Sequence, residues 1–152
     1  MTKIRIQMKD FPIKIICSLI SITLGCMLIS CSQKQTVVEE TYNDGSPKRE
    51  CVYIGQGKDR VLVKETFFYP SRQVEVTGEY KDGERHGYWI YYFENGNVWS
   101  EGFYNMGKND GRRLTYFENG KLRYEAHYKD DERVGTWKFY DEAGNLIKDV
   151  NY

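Results

Sequence analysis

The chain has 152 residues, with 22 basic and 22 acidic side chains, 13 tyrosines and 14 glycines. That length is one domain's worth, and abundant Tyr and Gly at balanced charge exclude a disordered tail. Residues 1–30 hold four of the cations and one of the anions, so the remainder carries 18 basic against 21 acidic groups, a balance that gives no counter-ion drive towards nucleic acid.

The first segment, MTKIRIQMKDFPIKIICSLISITLGCMLISC, has a basic start, an apolar stretch from Ile15 to Ile29 and small Ser30 before Cys31. This is the pattern of an export signal. A membrane-spanning helix wants about 20 apolar residues, and this run is shorter and diluted by Ser18, Ser21, Thr23 and Gly25. Leu28-Ile29-Ser30-Cys31 resembles the lipobox of bacterial lipoproteins, which implies a lipid on the Cys31 thiol and cleavage just before it. Several acyl chains at about 0.8 kcal/mol per buried methylene hold a membrane stably. The expectation is a signal peptide over 1–30, a polar tether over 31–36 and a repeat array over 37–152, anchored in the cell envelope. No acidic residue follows Cys31 closely, which favours the periplasmic side of the outer membrane. Cys17 and Cys26 fall in the discarded segment, so Cys51 is left without a bridging partner.

From residue 42 onward the chain repeats itself. TYNDGSPKRECVY is the first copy, and Tyr42 aligns with Tyr69 after a step of 27, which places three inserted residues in the loop IGQGKDR. That loop has two glycines and a lysine but lacks the spacing of a phosphate cradle and a following helix. Thereafter Gly87, Gly111 and Gly135, then Gly96, Gly120 and Gly144, then Tyr80, Tyr104, Tyr128 and Tyr152 all recur at a step of 24. A fixed period in the twenties is the sign of a repeat array.

Within a unit, YWIYYF, ENGN and VWSEGFY read as strand, tight turn and strand. Asn-Gly between strand-like runs predicts a two-residue type I′ turn. That turn puts Phe93 opposite Val98, Tyr91 opposite Ser100, Trp89 opposite Gly102 and Gly87 opposite Tyr104. On the same apolar face it places Val74, Val76, Phe117, Leu122, Phe139 and Leu146, with Glu101, Glu125 and Asp149 on the wet face. Gly78, Gly102, Ala126 and Val150 form a small-residue column that includes Cys51, with Trp89 predicted to cover Gly102 across the pair. The fold class is all-β: an elongated antiparallel meander of tandem β-hairpins.

The units GEYKDGERHGYWIYYFENG and GKNDGRRLTYFENGKLRYEAHYKD resemble the MORN-repeat variants of many bacterial proteins. The resemblance implies a meander of hairpins and no catalytic residue. Some proteins with this repeat are labelled antitoxins, and related repeats act as scaffolds or at membranes. An exported chain would not meet a cytosolic toxin, so the antitoxin-like role is an alternative only. Arg113 stands where neighbouring units have Trp, and Leu62-Val63-Lys64-Glu65 lacks the opening Gly.

No catalytic constellation survives inspection. His86 lies in a connecting turn, and His127 fills a slot held by Phe103 and Glu79 in sister units. Glu101, Glu125 and Asp149 read as a solvated column, and Cys51 as a small buried residue. No metal, cofactor or enzymatic activity is expected. The candidate binding patch is Tyr88, Tyr92, Trp99, Phe103 and Tyr116, an aromatic excess confined to one unit. The function expected is a lipid-anchored protein-interaction or scaffold module with an envelope protein as partner. Glycan binding through stacked Tyr88, Tyr92 and Trp99 is the alternative, and self-association through the uncovered sheet is also expected.

Overall fold

The computed structural model describes residues 33–152, so the export segment and Cys31 lie outside the described residues. Ten strands follow in order: β1 (Lys34–Thr41), β2 (Pro47–Ile54), β3 (Val61–Phe68), β4 (Val74–Lys81), β5 (Glu84–Tyr92), β6 (Val98–Asn105), β7 (Lys108–Tyr116), β8 (Leu122–Lys129), β9 (Glu132–Tyr140) and β10 (Leu146–Asn151). They form one open sheet in sequence order, each strand antiparallel to the next, which is the predicted meander of hairpins. The three-residue insertion before β3 appears as a single 3-10 turn, Gly57–Asp59. One boundary moves. Lys34, Gln35 and Thr36, expected as tether, pair with Ile54, Tyr53 and Val52. The far end of β2 would otherwise leave those backbone groups unmatched.

The two ends of the sheet use different turns, and the type I′ turn is not where Asn95-Gly96 suggested. There only Gly96 has positive φ, +87°. The Phe93 carbonyl accepts from Gly96 N–H at 2.9 Å, and Phe93 N–H donates to the Asn97 carbonyl at 2.8 Å. This is a three-residue loop, a type I turn followed by a left-handed residue. The Asn95 side chain accepts the Asn97 N–H at 2.9 Å, so its backbone has no need of positive φ. The type I′ turns lie at the opposite end, at Asp82-Gly83 (φ 51° and 83°), Met106-Gly107 (47° and 84°) and Asp130-Asp131 (51° and 71°).

A one-residue bulge follows each three-residue loop. Tyr91 pairs with Ser100 as predicted, but Tyr92 pairs with Val98, which leaves Trp99 extra. The same shift leaves Glu75, Arg123 and Ile147 extra, at the 24-residue period. Because opposite residues share a face, Val74, Val98, Leu122 and Leu146 go with Phe68, Tyr92, Tyr116 and Tyr140, not with Trp89 as predicted. Trp99 turns the other way, onto the Trp89 face, where its ring lies 6.0 Å from Tyr91 and 6.4 Å from Phe93.

A second irregularity explains how one layer builds a core. Between β4 and β5 the pairing jumps from Thr77–Ile90 to Glu79–His86, so Gly78 alone faces Gly87, Tyr88 and Trp89. Gly87, at φ +73°, takes up the excess chain. Trp89 is thereby laid over Gly78, not over Gly102, its partner on the other side: a Cβ on Gly78 would sit 2.1 Å from the indole. The indole N–H donates to the Glu79 carbonyl at 3.1 Å, and Trp137 repeats this with His127 at the same distance. Gly102 is covered by Arg113, and Cys51 pairs with Glu65, whose side chain accepts from Arg49 at 2.6 Å and Tyr80 at 2.9 Å.

Rings and guanidinium groups complete this face. Arg85 lies 4.1 Å over Trp89, and Arg133 lies 4.9 Å over Trp137. Tyr80 and Tyr104 flank Trp89 at 5.5 and 6.0 Å. Trp89, Cys51 and Ala126 are fully buried as a result. The Arg stems do the work a second layer would do elsewhere. The last strand keeps Leu146 and Ile147 exposed beside its open edge.

Candidate functional site

The five residues of the predicted patch do not share one surface. Tyr88 and Phe103 pair across β5 and β6 on the face away from Trp89, with ring centroids 5.2 Å apart. Both are well exposed, 40% and 52%. Tyr116 joins them from β7 and donates its hydroxyl to Glu101 Oε1 at 2.6 Å. Tyr92 lies towards the turn end, where its carbonyl accepts from the Tyr69 hydroxyl at 2.8 Å. Trp99 is on the opposite face, removed by its bulge, so Tyr88, Tyr92 and Trp99 cannot stack together on one sugar ring.

The equivalent cross-strand pairs in the other units set this one apart. They are Thr36–Val52, Lys64–Glu79, Arg112–His127 and Thr136–Asn151. None holds a Phe, Tyr or Trp ring, and only β5–β6 places two there. Beside the rings, Arg112 Nε donates to Glu125 Oε1 at 2.6 Å and holds that carboxyl below its usual value. Burial pushes the Tyr88 phenol up to about 12, helped by the Glu101 carboxylate nearby. The same causes raise Tyr116. Both phenols are therefore neutral, with Glu101 the acceptor for Tyr116, on an apolar patch bordered by an ion pair. Such a surface suits recognition by shape and hydrogen bonding.

The acidic column reads as a ladder of polar pairs: Glu125 and Asp149 both stand opposite Lys138. Among the described residues no three His, Cys, Asp or Glu side chains come together as a metal site would require. Burial raises the Cys51 thiol, which disfavours a reactive thiolate.

A family model described as MORN repeat variant matches residues 85–106, 109–130 and 133–152. Each matched stretch is one hairpin, β5–β6, β7–β8 or β9–β10, and the first two end on the opening residue of a type I′ turn. The hairpins β1–β2 and β3–β4 carry the same left-handed loop residue outside the matched stretches, at Gly45 and Arg72. No curated protein and no solved structure matches the chain. Three repeats of this kind point to a protein- or membrane-interaction module.

Proposed function

We propose that this array of MORN repeat variants is a non-enzymatic interaction module, tethered to the cell envelope by a lipid on Cys31, that binds an envelope protein through the Tyr88–Phe103 face. One observation carries the binding surface. At a position that holds no Phe, Tyr or Trp ring in any equivalent pair, one unit alone exposes two, whereas a device for stiffening the sheet would recur. Exposed rings rimmed by charge are the composition of an interaction hot spot, where truncating an anchor costs about 2 kcal/mol or more. The lipobox-like Leu28-Ile29-Ser30-Cys31 supports the tether.

The test compares complexes cross-linked in native cells and solubilised from the membrane. Tyr88→Ala with Phe103→Ala should lose a discrete protein partner that the wild type and the Thr136→Ala/Asn151→Ala variant both retain. If the ring variant keeps the same partner in the same yield, the face has been misassigned.

A further inference from the structure

On the other face, a pocket of about 300 Å³ opens where the repeat packing lapses, lined by Tyr91, Trp99, Ser100, Arg113, Thr115 and Tyr124. The position that holds Trp89 and Trp137 in the adjacent units holds Arg113 here, and the position of Phe67, Tyr91 and Phe139 holds Thr115. Ser100 likewise stands where Tyr124 stands one unit later. The Thr115 position is aromatic in the three sister units, while the Ser100 position also holds Val76 and Lys148 and the Arg113 position also holds Glu65, so the loss of an aromatic at Thr115, with Arg113 beside it, is what opens this place. A deviation of this kind is where function is to be sought.

The geometry defines a ligand class. Ser100 Oγ donates to the Leu114 carbonyl at 3.0 Å and lies 3.2 Å from Thr115 Oγ1, and the two form a polar floor in which Thr115 has the hydroxyl left to meet a ligand. Tyr91 and Trp99 wall it from the β5–β6 side, and Tyr124 walls it from β8, its ring held parallel to Trp137 at 2° and 6.2 Å. Arg113 donates to Ser100 Oγ at 3.3 Å and to Asn109 Oδ1. Among the described residues it forms no ion pair, and it reaches a carboxylate only through Asn109, which donates to Asp131 at 2.7 Å. A guanidinium fork held by neutral acceptors is suited to a ligand carboxylate. The Thr115 hydroxyl answers a ring hydroxyl, which a flat aromatic acid would leave unanswered. The volume, at the small end of the range for ligand sites, takes about one ring.

We propose that this pocket binds a single six-membered sugar acid, a hexuronate, through Arg113, with its ring against the Trp99 and Tyr124 walls. The site is separate from the Tyr88–Phe103 face and does not rest on that face being an interface.

The experiment is isothermal titration of the full chain in detergent with sodium glucuronate and sodium galacturonate, with glucose and benzoate as comparators. At least one hexuronate should saturate, with glucose and benzoate roughly tenfold weaker or more, the loss expected when a charged hydrogen bond or its polar companions are missing. Arg113→Gln should weaken the hexuronate by roughly tenfold. Thr115→Phe, which installs the side chain its sister units carry, should abolish binding with the circular dichroism unchanged. An oligogalacturonate binding more tightly than the monomer would identify a glycan as the source, and equal binding a free acid. Absence of heat with either hexuronate, equal binding of benzoate or glucose, or full binding by either variant overturns the proposal. Arg113→Gln alone decides it should Thr115→Phe not fold.

Discussion

Replacing Gly78 by Ala tests the packing of the single layer at its tightest point. The added Cβ would lie 2.1, 2.2 and 2.4 Å from three indole atoms of Trp89. Reaching an ordinary contact of about 3.6 Å requires the ring to retreat by roughly 1.5 Å. Trp89 has nowhere to go: it is fully buried, with Arg85 at 4.1 Å above it and Tyr80 and Tyr104 at 5.5 and 6.0 Å on its flanks. Retreat also stretches the 3.1 Å bond from the indole N–H to Glu79. Overpacking costs about 1–3 kcal/mol and the lost hydrogen bond about 1, against a gain of about 0.5–1 from removing a strand glycine. The net is a loss of about 1–3.5 kcal/mol, which for a domain of this size lowers Tm by roughly 5–15 °C. At Gly102 the new Cβ meets Arg113 Cβ and Nε at 3.3 Å and its Cα at 3.4 Å, a crowding relieved by a shift of a few tenths of an ångström, so Gly102→Ala should cost distinctly less than Gly78→Ala. Urea unfolding followed by circular dichroism measures both. Equal effects at the two glycines, or no loss at Gly78, would refute the placement of Trp89 over Gly78.

Three other outcomes follow from local geometry. Arg72 occupies the left-handed loop position at φ +70° that Gly holds in the other hairpins, so Arg72→Gly should stabilise by about 1 kcal/mol in the same urea assay. Glu65, almost fully buried, is the shared acceptor of Arg49 and Tyr80, so Glu65→Ala should cost about 3 kcal/mol and Glu65→Gln distinctly less. Burial raises the phenols of Tyr53, Tyr88 and Tyr91 to about 12 in the fold. A raised folded value means the stabilisation is intact below the unfolded value of about 10 and is lost as pH rises through the folded one. The urea midpoint should therefore fall between about pH 10 and 12, and absorbance titration should show a late tyrosinate step that shrinks in Tyr88→Phe.

The period, the hairpins and the small-residue column were legible because Gly and Tyr recur at a step of 24 and strand-like runs flank Asn95-Gly96 and Asn119-Gly120. Trp89 opposite Gly102 and Tyr91 opposite Ser100 came out of that pattern directly. The turn type did not, because Asn-Gly serves both a two-residue loop and the three-residue loop found here. The bulges were hidden for a different reason. Their extra residues are Lys48, Glu75, Trp99, Arg123 and Ile147, which have no chemistry in common, so nothing but hydrogen-bond register marks them. That one shift moved Trp99 to the opposite face and divided the predicted patch. The lean of Trp89 towards Gly78 depends on Gly87, whose recurrence was visible but whose positive φ was not. Arg113 in a tryptophan slot was visible from the start, while the pocket it helps to open needed Ser100 and Thr115 to be brought beside it.

The proposed function begins at Cys31, because a sheet proposed to bind envelope partners has to be held there. The most direct measurement is the intact mass of the N-terminal peptide from native cells, with membrane partition of the wild type beside Cys31→Ala. A lipid-sized mass increment on Cys31, with a membrane-bound wild type and a released variant, is the predicted result. An uncut, unmodified N-terminus with both proteins in the same fraction would contradict the anchored interaction module.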